Sequence, residues 1–577
     1  MQVRPSLSGS LRHSVFALLA ACGLALFTSF AAAQQSGVPS DALSPGVSQA
    51  IKEGEQLESQ SRWADALTHY EEALRDNPND QILQQRFDEA RLHYGIDRRY
   101  ADASFLRSIH ELNAVAAQQL YNDLLLKIDT HYVTAPQWHE LTKRGVTSLE
   151  FALLDEDFRQ HNALRITQPQ VAGLCAEMRN SLSRRLVRTR QEALAAASEI
   201  ANLASARVGL SGSATMHEFT AAAADGLDNY SSFLTSDQLR DVYAQIEGNF
   251  VGLGVELKAD NQALAIVDVI PRSPAEQAGL KAGDRIVAVD GKQTTELSTD
   301  EAAGMLTGVE GSIVQVTIES PGVPLRTVAV RRAHVEVPSL EDVKIIDRQY
   351  GVAYVCIPVF QKTTARDLEA ALWDLHRQGM RSLIIDLRRN PGGLLTSSVE
   401  LADKFVADGG IVSTRGRNHA EDFDYRAHRG GTWRVPLVVL IDGDSASASE
   451  IFAAAILDNR RGTIVGERSF GKGSVQGIFP LGNNGGGVRL TTASFYSPNG
   501  SPISKVGVQP DIVVRRATSD AEGRYETTYR GPQPAEAGER TAAQPDLPQP
   551  AVDPQTAGDE ALSKAIDVAR GQMALRQ

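Results

Sequence analysis

The sequence predicts a multidomain α/β protein with a helical N-terminal region, a small β-rich domain and a layered α/β core. Three observations carry this. Residues up to about 245 show helical periodicity. Short alternating strands separated by turns fill about 248 to 332. From about 335 onward, near-continuous apolar strands alternate with amphipathic helices. The length of 577 residues fits several domains, and 42% hydrophobic with 22% charged residues is ordinary for globular chains. A net charge of −13 and the lack of a basic stripe argue against a nucleic-acid partner.

In chain order, Arg4, Arg12 and His13 precede the apolar run Val15–Phe30, which closes on Ala31-Ala32-Ala33. This is the layout of a secretory signal over 1–33, so export to the bacterial periplasm or cell envelope is expected. Leu19-Ala20-Ala21-Cys22 offers an alternative lipoprotein box, disfavoured because the apolar run continues past Cys22. The remaining thiols, Cys175 and Cys356, read as buried free cysteines. Segment 34–97 opens with a polar leader. Helices then place Gly54, Ala66, Tyr70, Ala73 and Pro78 at tetratricopeptide-repeat spacing. This segment is read as a helix pair packed on its neighbour or as an adaptor-binding surface.

Residues 98–245 are predominantly helical, with Leu120, Leu124, Ile128 and Tyr132 on one face. A long Arg/Ala/Leu-rich insertion at about 159–215 has no assigned role. The His-Glu pairs at His110, His139 and His217 lack a second His on the next turn, which excludes a zinc-protease helix. Residues 246–333 form the β-rich domain, and 334–516 the α/β core. A Pro/Ala/Gly-rich linker is expected over 517–557, followed by a helical tail at 558–577.

Chemistry concentrates between Pro436 and Gln476. The run Leu437–Ile441 reads as a buried strand that turns at Asp442-Gly443-Asp444, and a helix follows from Ser447. A serine at a helix start has free backbone N–H groups and the positive dipole end beside it. Its hydroxyl needs a base, and no histidine follows Leu437; Lys472, in SFGKGSVQ, does. A lysine is a base when burial keeps it neutral. Gln476 is placed to orient that amine, with Phe470 and Val475 as a dry wall. GERSFGKG imitates a phosphate loop, but Gly473 follows the lysine and SVQGIF reads as a strand, which excludes it.

SASASEIFAAAILD followed by GERSFGKGSVQ resembles the carboxy-terminal processing proteases, serine peptidases with a Ser-Lys dyad and an embedded PDZ domain. The resemblance implies Ser447 as nucleophile, Lys472 as general base and Gln476 as orienting residue. Ser445 and Ser449 fall on the motif's other serines. DGLDNYSSFLT resembles the family's motif ahead of its PDZ domain, and Asn390-Pro391-Gly392-Gly393 follows a core strand. By analogy, Gly393 and Ala448 form the oxyanion hole and the core is ClpP/crotonase-like. Gly252-Leu253-Gly254-Val255 and SPAEQAGLKAGDRIVAVDGK are similar to a PDZ domain. Leu253 and Gly254 are then the carboxylate loop, with Val255 and Met305 as pocket candidates or plain core. The implied function is an exported endopeptidase acting on protein or peptide substrates with apolar C-termini, without metal or cofactor. The competing readings are an inactive PDZ scaffold of the cell envelope and an acyl-CoA enzyme on the crotonase fold. The second lacks any adenine-binding loop.

Overall fold

A computed structural model of the chain describes residues 45–514 and 559–574, apart from the short stretches 261–262, 297–301, 303, 321, 429 and 483–485. The expected signal segment, Cys22, most of the leader and the 517–557 linker lie outside the described residues.

Three helices begin the fold: α1 Pro45–Ser59, α2 Trp63–Asp76 and α3 Gln81–Ala101. The repeat-like spacing has a local cause. A Cβ at Gly54 would lie 2.2 Å from the Tyr70 ring, so only glycine lets α1 and α2 approach this closely. The Tyr70 hydroxyl donates to Glu58 Oε1 at 2.7 Å and closes the same contact. Helix α3 runs through Ala101, so the boundary expected at 97/98 falls inside it.

Seven further helices follow: α4 Ala103–Glu111, α5 Ala114–His131, α6 Trp138–Leu154, α7 Glu156–His161, α8 Gln168–Ser183, α9 Arg190–Val208 and α10 Gly212–Asp225. Helix α10 is buried on nearly all sides because its Ala-rich sequence lets neighbours approach closely. The 159–215 insertion supplies α8 and α9, whose Val171, Leu174, Met178, Ala197 and Ile200 belong to this helical core.

Strand β1 Ser232–Leu234 and helix α11 Ser236–Glu247 lead into the β-rich domain. A ribbon of β2 Asn249–Gly252 and β9 Ala333–Glu336 forms its stem. Its sheet has the order β3 Val255–Asp260, β4 Ala263–Val269, β5 Arg285–Val289, β7 Ile313–Ser320 and β8 Val323–Arg331, with β6 Lys292–Gln293 beside β5. The turn after β4 holds the short helix α12 Pro274–Gln277. Among the described residues β3 pairs only with β4, so its outer edge is an open row of backbone donors and acceptors.

The core sheet orders β10 Glu341–Asp347, β11 Val352–Cys356, β12 Ser382–Asp386, β15 Leu437–Ile441, β16 Thr463–Gly466 and β19 Ile512–Val513; β11 onward are parallel. Helices α13 Thr364–Arg377, α14 Leu395–Asp403 and α15 Ala448–Asp458 cover one face, meeting Ala353, Val355, Leu383, Ile385, Val439 and Ile464. The alternate residues Val352, Tyr354, Ile384, Val438, Leu440 and Val465 face the tail helix α16 Glu560–Ala574 through Ala565 and Ala569. A parallel sheet is stable when both faces are covered, and the tail does this on the second face. Asp559 anchors it on Arg388 at 2.8 Å, and Arg570 bonds Asp347 at 2.8 Å. A second, antiparallel sheet runs β1, β18 Gly486–Tyr496, β13 Gly410–Gly416 and β14 Phe423–Arg426, with β17 Ser474–Leu481 also on β18. Leu481, Val488 and Leu490 pack into the helical core, so this sheet joins the helices to the layered core.

Candidate active site

The central strand β15 is fully buried and delivers the chain to a tight turn at Asp442. Ser445 Oγ donates to Leu387 O at 2.8 Å and accepts from Asp442 N–H at 2.9 Å. Ser449 Oγ donates to Asn390 O at 3.0 Å. These two serines brace the turn. Ser447 between them has φ 56° and ψ −113°, a conformation costly for a residue with a side chain, and it caps α15. Strain of this kind needs a surrounding structure that over-determines it.

That structure is the loop after β12. Asn390 is wholly buried; its Nδ2 donates to Ile357 O at 2.7 Å and its Oδ1 accepts Gly392 N–H at 2.8 Å. Gly392 and Gly393 have φ of 108° and 129°. A Cβ on Gly392 would sit 2.8 Å from both Ala446 O and Ser447 Cβ, and one on Gly393 would sit 2.2 Å from Phe360 O. The paired glycines are therefore needed for the loop to lie against the serine turn. Gly392 N–H is engaged by Asn390. The N–H groups of Gly393 and Ala448 have no acceptor among the described residues. Two free donors beside one serine at a helix N-terminus match the chemistry of an oxyanion hole.

Glu450 was not singled out from the sequence, yet it organises the centre. Its carboxylate is wholly buried and accepts four hydrogen bonds: from Ser447 N–H at 2.8 Å, Lys472 N–H at 2.9 Å, Ser469 Oγ at 2.6 Å and Gly471 N–H at 2.7 Å. One side chain thus ties the serine's backbone to the lysine's loop. The signal was present as Ser-x-x-Glu, a capping box that stabilises a helix start. Nothing in that pattern announces the second loop.

Lys472 is half-buried. Burial pushes its amine below the ordinary lysine range and the Arg489 guanidinium pushes the same way, while Glu450 opposes them. Both effects shift the amine toward the neutral form that a base requires. Its Nζ lies 4.9 Å from the Tyr230 ring centroid. No hydrogen bond joins it to Ser447 Oγ among the described residues.

Two expectations need correction. Gln476 does not orient the lysine here: its Nε2 donates to Ser474 Oγ at 3.0 Å, and its Oε1 accepts from Thr491 Oγ1 at 3.3 Å. The register explains this, because Gln476 lies on β17 opposite Thr491 of β18. Phe470 is no dry wall either, being 57% exposed, and Val475 packs partly buried against the layered core. The apolar surface at the amine comes from Tyr230.

In the β-rich domain, Leu253 O accepts Ala275 N–H at 2.8 Å and Gly254 O accepts Ile270 N–H at 3.0 Å. The loop is fixed by its carbonyls, while the N–H groups of Leu253 and Gly254 have no acceptor among the described residues. The side chains of Leu253 and Val255 lie in the apolar core, so plain packing accounts for Val255. Met305 is only partly buried against that core, and its carbonyl accepts from Arg332 Nη2 at 2.7 Å.

The chain matches the model of peptidase family S41 over residues 351–514 and a PDZ domain model over 266–320. It is 37% identical over 364 residues to the carboxy-terminal-processing protease of Bartonella bacilliformis, covering 60% of this chain and 81% of that relative. It is 35% identical over 292 residues to the carboxyl-terminal-processing protease of a Picosynechococcus species, covering 50% and 70% respectively. A third similarity, 32% over 295 residues, is to the carboxy-terminal processing protease CtpB of Bacillus subtilis, covering 50% and 60%.

Proposed function

The chain belongs to the carboxy-terminal processing proteases of peptidase family S41, serine-type peptidases, and from that premise we propose how its own residues do the work. Substrate enters as an extended C-terminal tail that adds to the open edge of β3. The free N–H groups of Leu253 and Gly254 hold its terminal carboxylate. The upstream chain then reaches Ser447. Lys472, neutral, takes the hydroxyl proton as Ser447 Oγ attacks the scissile carbonyl. Gly393 and Ala448 N–H groups hold the oxyanion. Lys472 returns its proton to the leaving amine; it then takes a proton from water as that water attacks the acyl carbonyl, and passes it to Ser447 Oγ as the ester bond breaks.

The observation that carries this reading is the conformation of Ser447, held at φ 56° between two free donors while one carboxylate ties it to the loop of a half-buried amine. In this reading the hydrogen bond from Ser447 Oγ to Lys472 forms in the substrate complex, where catalytic hydrogen bonds tighten. Export and adaptor binding through α1 to α3 complete the proposal. Recovering a mature chain from the envelope fraction, with its N-terminus just past Ala33, tests the first. For the chemistry, wild type, Ser447→Ala and Lys472→Met are incubated with peptides ending in apolar or in charged residues. Cleavage by wild type alone, with apolar ends preferred, is expected. Equal cleavage by Ser447→Ala would remove that serine from the mechanism, and no cleavage by wild type would favour the scaffold reading.

A further inference from the structure

The turn that carries Tyr230 is held from two sides. Asp228 Oδ1 accepts Tyr230 N–H at 2.8 Å and Ser231 N–H at 2.6 Å, which rigidifies the turn. From one side, Ser231 Oγ accepts Thr491 N–H of β18 at 3.2 Å. From the other, Arg91 of α3 donates through Nη2 to Asp228 O and through Nη1 to Asn229 Oδ1, both at 3.0 Å. A residue of the N-terminal helices, distant in sequence, thus makes two direct hydrogen bonds to the turn whose ring faces the Lys472 amine at 4.9 Å.

From this geometry we propose that Tyr230 is a positioning residue for the general base, and that the N-terminal helices set its placement through Arg91. The proposal rests on the reading of Lys472 as that base. An aromatic face attracts a cation and not a neutral amine, so the ring holds the lysine in its protonated resting position. The other charged groups facing the amine are Glu450 of α15, which favours the ammonium, and Arg489 of β18, which disfavours it. Asp228, Glu450 and Glu71 of α2 act on the Tyr230 hydroxyl through their charges. Displacing the ring, by mutation or by anything that shifts α3 and its Arg91, frees the amine and raises its neutral fraction.

The test is competitive acetylation of Lys472 by acetic anhydride across pH in the full-length protein, read by mass spectrometry, with thermal melts to check folding. Tyr230→Leu is expected to move the half-reactivity pH of Lys472 down by about half a unit. Arg91→Met moves it less, in the same direction. Tyr230→Phe, which keeps the aromatic face, titrates like wild type. An unchanged or raised value in Tyr230→Leu overturns the proposal. If that variant does not fold, Arg91→Met decides alone, and a wild-type titration there overturns the link to the helices. Peptidase assays separate the two ideas. Activity retained by Lys472→Met defeats the reading of the base whatever the titrations show. An inactive Lys472→Met with unshifted titrations defeats this proposal only.

Discussion

The two halves of the proposed catalytic centre are built to different standards. On the nucleophile side, Ser445, Ser447, Ser449, Asn390 and the paired glycines are locked by short hydrogen bonds on the ends of buried parallel strands. On the base side, Lys472 is half-buried and touches an aromatic face, and Gln476 is bonded to its own sheet neighbours. Glu450 spans both, beside the backbone bond from Phe470 N–H to Ser445 O at 3.0 Å. The difference teaches that the strained, costly geometry is prepared in advance around the serine, whereas the amine has no hydrogen bond to Ser447 Oγ among the described residues. In the proposed mechanism, substrate binding completes the site.

The largest effect is expected from breaking the rigid half outright. Ser447→Ala should lower kcat/KM by at least about a thousandfold without loss of fold, measured with a quenched fluorescent peptide and a thermal melt. Glu450→Ala leaves four donors facing a buried gap and should cost about 3 kcal/mol or more of stability. It should also remove most activity, because both loops it ties lose their register; denaturant unfolding and the same peptide assay check this.

A third test acts on the helices that reach the base side. His93 of α3 stacks on Trp63 at 3.9 Å and meets Phe151 edge-on, and burial lowers its pKa from 6.5 to about 4. The folded state therefore binds fewer protons than the unfolded one in that window. Stability is full above pH 6.5 and falls as pH drops through 4, by about 3 kcal/mol at most. Unfolding titrations at several pH values should show this loss, and His93→Phe should abolish it. The smallest effect is expected at Gln476. Its alanine variant should change kcat/KM by less than about fivefold, since its bonds are to Ser474 and Thr491; a far larger loss would mean that it turns to Lys472 once substrate binds.

The same contrast explains what was legible in the sequence. Strand Leu437–Ile441 and its helix were readable because a strand buried on both faces is an unbroken apolar run, and the Ser447 turn follows it without ambiguity. The strands within the runs NFVGLGVELK, ALAIVDVI, DRIVAVDG and SIVQVTIES followed from alternation, although the first run divides into two strands, Asn249–Gly252 and Val255–Asp260. Gln476 and Phe470 misled because their positions are only partly covered, and local pattern does not record which neighbour a half-exposed side chain meets. Glu450 was not picked out because its reach to Ser469, Gly471 and Lys472 depends on a loop from another strand. The tail helix showed its periodicity but not its seat. Ala565 and Ala569, which face the sheet, are too small to signal a buried face. Nor did the sequence reveal that Arg91 meets Asp228 and Asn229, a contact only the tertiary fold creates.

The proton transfer itself admits one decisive measurement: the pH dependence of kcat/KM for a peptide with an apolar C-terminus, compared between wild type and Lys472→Met. Because burial and Arg489 hold the amine below the ordinary lysine range, activity should rise with pH and reach its plateau below the pH where a free lysine titrates, and Lys472→Met should be inactive throughout. A Lys472→Met protein that keeps the wild-type rate and profile would contradict the assignment of Lys472 as the base.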